Sequence, residues 1–417
     1  MNNFGTKEKV IASILSNNPV LKDFIKKFYQ RVNYFFNKKG YVLKSDFKVY
    51  EVDYSDSESF FGYYDKSPEN QDGSKLIYYR TNYNTKKLPS QGHCIEVVLK
   101  CLETNTFVVV DKTYAYNWQQ GAKMMWLSND KFIYNVFSET AKIYKSKIYD
   151  IENKTYHNID FPIYDCFNED LAYTLNYERL MDLRPDYGYR NILPNIDYSD
   201  YSNDGIYKLS LKNNTKELII SIDQLMDLKQ VISMLGAKHK VNHIMVSPKG
   251  TKIMFMHRWL SKSGKRYDRL LVSNYSGTEL KIISDNEMVS HCCWQDENTI
   301  IGFLRNNDKD GYYKINLMNN KITELPRELA SFGDGHPTII NNKMLLDTYP
   351  DRSRMKGLYV YNFDKNKMNI IAEFFESLEY YNETRCDLHP RFSKDNSAIY
   401  VDSVHSGKRK LFKIDLS

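Results

Sequence analysis

Four histidines, His243, His291, His336 and His389, follow one another at separations of 48, 45 and 53 residues, and each opens a short apolar run. Imidazoles brought together can accept a proton, return it, or ligate a divalent ion. A lone histidine at such a position fills a core more often than it forms a site. Four of the nine in the chain at one repeat position point to a shared centre. The chemistry they could do is acid–base or metal-assisted.

The elements that would carry them recur with the same period. "NHIMVSPKGTKIMFMHRW" reads as a strand, a tight Pro-Lys-Gly turn and a second strand, and similar hairpins appear in "HCCWQDENTIIGFLR", "HPTIINNKMLLDTYP" and "HPRFSKDNSAIYVDS". Each is paired with a second hairpin that has a polar turn, such as "RLLVSNYSGTELKII" or "GYYKINLMNNKITEL". Two hairpins make a four-stranded antiparallel unit of about 40 to 50 residues, the period of a β-propeller blade. Seven units follow, at roughly 60–112, 117–160, 164–222, 240–285, 289–326, 334–373 and from 386 onward. The last unit ends after its third strand, and "FKVYEVD" (Phe47 to Asp53) can supply the fourth. The expected fold is an all-β, seven-bladed β-propeller over residues 47–417, closed by its N- and C-terminal strands. A two-domain α/β arrangement fails, because no helices separate the strands.

Composition agrees. Of 417 residues, 34 are Tyr and only 18 Gly and 11 Pro, which suits many short strands. No window approaches the ~18 apolar residues of a membrane span, and the first residues do not read as a secretory signal, so a cytoplasmic protein is expected. The six cysteines form no Cys-x-x-Cys pair and read as reduced thiols. A net charge of +6 is too small to point to nucleic acid; an acidic substrate or an anionic membrane surface fits it better.

If innermost strands begin at one mouth of the channel, second strands return to it. The sequence places Arg80 there, then His257 with Arg258 and Trp259, then Arg305, then "DTYPDR" with Tyr349 and Arg352, then "DSVHSGKR" with His405 and Arg409. Such a rim is an anion site. Trp259, Tyr349 and Tyr64 offer flat faces on which sugar rings pack. Two long insertions rise beside it: residues 176–195, with Arg184, Tyr187, Tyr189 and Arg190, read as a lid, and residues 222–237 read as helical.

Residues 1–46 differ from the rest. In "NPVLKDFIKKFYQRVNYFFNKKG" Leu21, Phe24, Ile25, Phe28, Val32, Phe35 and Phe36 fall at helical spacing among six basic residues. Two readings stand for this amphipathic basic extension: a helix packed on the side of the ring, or a peripheral contact of residues 18–39 with a partner or with the inner face of a membrane.

The stretches "FGYYDKSP", "YNWQQGAKMMW", "LRPDYGYRN", "NHIMVSPKGTKIMFMHRW", "DGHPTIINNKMLLDTYPDR" and "CDLHPRFSKDNSAIYVDSVHSGKRKLFKIDLS" resemble seven-bladed propellers related to oligogalacturonate lyases and ulvan lyases, found among polysaccharide gene clusters. The resemblance implies action on an acidic, uronate-containing glycan by β-elimination. It implies His291, His336 and His389 as ligands of a divalent metal such as Mn or Zn, His243 or His257 as base, Tyr64 or Tyr189 as acid, and Arg184 or Arg258 as carboxylate clamp. Oligogalacturonate lyases place two metal histidines and a glutamine close together, whereas "CDLHPRF" has one histidine. The metal-free His and Tyr mechanism of the ulvan type is therefore the alternative. A non-catalytic glycan-binding or scaffolding propeller of cell-surface polysaccharide biosynthesis is the competing function.

Overall fold

The computed structural model describes residues 19–417, with side chains described from Phe24 onward. The reading of the first residues as lacking a secretory signal, and the side chains of Leu21 and Lys22, lie outside these. Seven antiparallel sheets are arranged as successive blades: residues 58–113, 125–159, 165–221, 238–284, 289–324, 338–375 and 391–415. Inner and middle strands such as Lys252–Leu260 and Ala398–Ser403 are buried almost throughout, outer ones such as Thr155–Ile159 are largely exposed, and packed seams between neighbouring blades form the core. Cys292 and Cys293 enter two different seams, as adjacent residues on a strand must, and all six cysteines are free thiols.

The seventh blade is completed as its odd strand count demands. Lys48–Glu51 pairs antiparallel with Phe412–Asp415, contributing the outermost strand of a sheet whose other three come from the C-terminal segment. Two further bonds extend the closure, Val52 N–H to the Leu411 carbonyl at 2.9 Å and Ser59 N–H to that of Arg409 at 2.9 Å. Inside it, buried Asp402 accepts from the backbone N–H groups of Phe61 and Gly62 at 3.0 and 2.9 Å, and pairs with Arg391 at 3.2 Å. Arg391 in turn donates to the Gly62 and Tyr63 carbonyls. Gly62 is required there: with φ 114°, a Cβ would stand 2.9 Å from the Gln120 backbone.

Neighbouring blades are also latched at the end away from the histidines. Ser247 and the Lys249 N–H bond Glu297 of the next blade, and the Lys394 N–H and Tyr400 hydroxyl bond Glu69 of blade 1. A glutamate of the next blade's turn thus serves the same purpose at two of the seams.

Two features were not legible. Lys44–Ser45 adds a fifth strand to blade 6. Residues 177–183 of the lid form a helix, capped by Asn176, whose side chain accepts from the Glu178 and Arg179 N–H groups. The basic extension contains the expected helix, α1 (Pro19–Asn37), which leaves Phe24, Phe28, Phe35 and Phe36 exposed and meets the ring through Tyr34 against Phe375 and Lys27 over Tyr381. Residues 222–237 carry the expected helical turns, Ile222–Leu228 and Ile232–Met234. No described helix is long and apolar enough to cross a membrane.

The closure can be tested by truncation. A chain lacking residues 1–40 is expected to melt like the parent, whereas one lacking residues 1–53 loses the blade 7 outer strand and melts at least several degrees lower. Equal melting of the two would mean that the pairing with Phe412–Asp415 contributes little.

Candidate functional site

The four histidines do converge. His291 and His336 have ring centroids 4.0 Å apart, His336 and His389 4.4 Å, and His243 and His291 6.2 Å, and none of the four is more than 5% exposed. Each comes from a different blade: His336 and His389 stand just before the innermost strands Thr338–Ile340 and Arg391–Phe392, His291 is near the start of Val289–Asp296, and His243, expected at a strand start, lies inside the longer strand Lys238–Val246. His243 and His389 adopt φ of 53° and 44°, left-handed values that cost a residue with a Cβ about 1 kcal/mol. At His243 this accompanies a shift of register between Asn242 and Met245, which turns the side chain into the channel.

Two tyrosines fill the space among them. The Tyr63 hydroxyl lies 3.1 Å from His243 Nδ1 and 3.5 Å from the Tyr187 hydroxyl, and the Tyr63 ring packs on His389 and His336. Tyr64 packs on His336 and His291, but its hydroxyl is committed to the Cys292 carbonyl at 2.9 Å. Burial pushes the Tyr63 phenol well above its ordinary range, reinforced by Tyr187, so it stays protonated and able to donate.

Protonation differs among the histidines. Burial, reinforced by the charge of His336, takes His291 down to about 3. Burial, then Arg258, lowers His243 well below its usual range, and burial, then His336, does the same for His389. His336 is the exception: burial opposes its charge, but the Asp347 carboxylate, 3.0 and 3.1 Å from Nδ1, holds it above the ordinary value. Three neutral bases therefore surround one imidazole steered by an acid.

That acid also fixes which nitrogen is free. With Nδ1 donating to Asp347, His336 presents Nε2; this atom and His389 Nε2 are buried and find no partner among the described residues. Asp387 completes a group whose ligand atoms with His336 and His389 lie within 4.8 Å of one another. Two imidazoles, one carboxylate and an outer carboxylate on the histidine suit a divalent ion. His291 lies beside this group, its Nδ1 donating to the Asp334 carbonyl at 2.6 Å, but is not a member. Asp387 takes the place the sequence reading gave to His291.

A cationic wall adjoins the histidines. Arg258 pairs with Asp268 at 2.8 Å, Arg184 with Asp186 at 3.1 Å, and the Lys240 ammonium donates to the Leu183 carbonyl at 2.7 Å. Burial, then Arg258 and Arg184, pushes Lys240 well below the usual lysine range. The lid is tied down over this wall: Arg385 bridges Asp186 and Asp387 at 3.3 and 2.7 Å, and Arg190 pairs with Glu383. Tyr349, whose ring lies 6.0 Å from His336, belongs to the same neighbourhood.

Other expected site residues stand elsewhere. Strand alternation sends Arg258 inward and its neighbours outward: His257 is bonded to His239 at 2.9 Å and Arg269 at 3.1 Å, and Trp259 stacks on Tyr267 while donating to Ser233. Tyr189 stacks on Tyr177 and bonds Asn135 under the lid. His405 packs between Phe374 and Phe412, and Arg409 is buried, donating to the Thr384 and Trp118 carbonyls. Arg305 pairs with Asp310 across its own hairpin, and Arg352 is exposed at the tip of another. Arg80, paired with Glu96, lines a separate depression of about 630 Å³ on the rim of blade 1. Residues missed from the sequence are Tyr63, Lys240, Asp347, Arg385 and Asp387. Only Asp387 carried a signal, since Asp-x-His in extended chain puts both side chains on one face.

Fold and site together define a seven-bladed propeller with a histidine-centred, cation-walled channel mouth. No protein-family description matches the chain, and no curated protein matches it in sequence. The solved structures to which it is similar include an oligogalacturonate lyase in complex with manganese, at a TM-score of 0.62 and 14% identity over 91% of this chain and 98% of that one. The oligogalacturonate lyase of Vibrio parahaemolyticus is similar at a TM-score of 0.59 and 14% identity, over 90% and 98%. At these identities the likeness establishes the fold.

The two central histidines should differ in stability. His336→Ala strands Asp347 without its imidazole partner and is expected to cost about 3 kcal/mol. His389→Gly removes a side chain with a free nitrogen and relieves the left-handed strain, so urea denaturation should show a change below about 1 kcal/mol. Equal large losses would make His389 a packing residue.

Proposed function

We propose that this chain binds an acidic, uronate-containing oligosaccharide at the channel mouth and cleaves it by β-elimination. The observation that carries this reading is the juxtaposition of neutral histidines and a protonated tyrosine with a wall of Arg184, Lys240 and Arg258. The elimination takes the C5 proton, forms the C4–C5 double bond and expels the C4 oxygen, which must be reprotonated. His243, neutral and 3.1 Å from the Tyr63 hydroxyl, is placed to accept the C5 proton, and Tyr63 to donate to the leaving oxygen. Arg184 and Arg258 hold the uronate carboxylate, whose negative charge they lower. A divalent ion such as Mn or Zn, held by His336, Asp387 and His389, would supply a Lewis acid toward the same carboxylate. The shared fold with oligogalacturonate lyases supports this class of substrate.

The non-catalytic reading keeps one observation in its favour. The rim depression lined by Arg80, Tyr83, His93 and Lys112 is roomy, carries charged and aromatic side chains, and is separate from the four central histidines. A glycan held there would be bound without reaction.

Incubation with a panel of uronate-containing oligosaccharides is expected to generate the ultraviolet absorbance of an unsaturated product. His243→Ala and Arg258→Ala should each lower the rate by at least 10²-fold. Binding without any absorbance change would select the non-catalytic reading. Calorimetric titration with Mn or Zn is expected to show one site per chain, lost in Asp387→Ala; retention of that site would remove the ion from the histidine cluster.

A further inference from the structure

Helix α1 turns its apolar stripe away from the ring. Phe24, Phe28, Val32 and Phe35 recur at steps of four, four and three residues and share one face, with Phe36 beside them. Phe24, Phe28, Phe35 and Phe36 are 67, 62, 67 and 78% exposed. The opposite side does the packing, Tyr34 against Phe375 at 6.0 Å and the Lys27 ammonium 4.3 Å over Tyr381. An amphipathic helix placed only to cover the ring would have buried its phenylalanines and exposed its lysines. This one exposes its phenylalanines together with Lys26, Arg31, Lys38 and Lys39, and only Lys27 is half-buried.

Charge indicates the occupant. Between Phe24 and Gly40 the chain carries Lys26, Lys27, Arg31, Lys38 and Lys39 and no acidic residue. The Lys38 ammonium sits 5.6 Å over the Phe35 ring, so cation and apolar face adjoin as they do where a lysine stem crosses from acyl chains to phosphate. A protein partner would call for a mixed polar rim, whereas aromatics bordered by one sign of charge match a lipid headgroup layer. The helix is 19 residues long, enough to lie in that layer and, by its polarity, not to cross it.

We propose that α1 is an interfacial anchor, docking this protein on an anionic bilayer with the phenylalanine stripe immersed and Arg31, Lys38 and Lys39 at the phosphates. Phe375 and Tyr381 belong to the strand end and connection that lead to His389, so the bilayer lies at the rim of the channel mouth. The inference is independent of the reaction assigned to the site.

Co-sedimentation of the full chain with vesicles tests it. The protein is expected to pellet with an equimolar mixture of phosphatidylcholine and phosphatidylserine at low salt, to be released by high salt, and to ignore phosphatidylcholine alone. Phe28→Ser with Phe35→Ser, and separately Lys38→Glu with Lys39→Glu, should weaken binding by at least tenfold, at about fivefold per charge. Both should leave the melting temperature unchanged, because these side chains are exposed. A parent that stays in the supernatant, or variants that bind as well as the parent, would overturn the proposal. So would light scattering that shows a dimer dissociated by Phe28→Ser with Phe35→Ser, which would assign the stripe to a second copy. Binding that emerges only after residues 1–18 are removed would assign it to the chain's own first residues and equally overturn it.

Discussion

Asp402 sits where the first and last blades of the ring meet, and its two oxygens hold both sides. It accepts from the Phe61 and Gly62 backbone of blade 1 while paired with Arg391 of blade 7, all of them buried. Losing either charge of such a pair leaves the other stranded at about 3–5 kcal/mol, so this contact has a larger stake in closure than any single strand bond. The site depends on the same contact. Tyr63 and Tyr64 follow directly from Phe61 and Gly62, and His389 precedes Arg391 by two residues, so the clamp sets the position of Tyr63 relative to His389. His243, His291 and His336 reach the centre only because the six further seams also pack.

The electrostatics of that centre follow from where acids are allowed. Asp347 steers His336 by side chain while also accepting from the His336 and His389 backbone N–H groups. Asp387 shares its carboxylate with Arg385, which also holds Asp186 of the lid. The lid is therefore tethered, through one guanidinium, to a carboxylate of the candidate metal group. An ion drawing on Asp387 would weaken its hold on Arg385, and the lid would feel it.

What could be read beforehand was whatever repeats. Hairpins with a tight turn and histidines at a fixed place in each unit both survive in one dimension, and from them came the blade count, the missing strand and the convergence. Directions of individual side chains were less legible. In "MHRW" the pleat alternates, so Arg258 faces the channel while His257 and Trp259 enter a packed layer behind it. Arg409 looked like a rim cation, yet its length lets it reach back to carbonyls beneath Trp118. Asp387 lies outside the histidine repeat, so in "CDLHPRF" only its neighbour His389 is marked by the period. Tyr63 and Tyr64 are neighbours of one type, and only the backbone path at Gly62 decides which of the two hydroxyls meets His243.

The pairing of Lys48–Glu51 with Phe412–Asp415 also imposes an order of events on the ribosome. The first strand leaves the exit tunnel early, and its partner is made only after six complete blades. At about 5–20 residues per second the wait is on the order of tens of seconds. During that interval the nascent chain holds an open arc with two raw sheet faces, blade 1 on one side and blade 6 on the other. The slow step in producing an intact molecule is then translation of the closing segment, and chaperones that shield β edges would act on the arc before the circle exists.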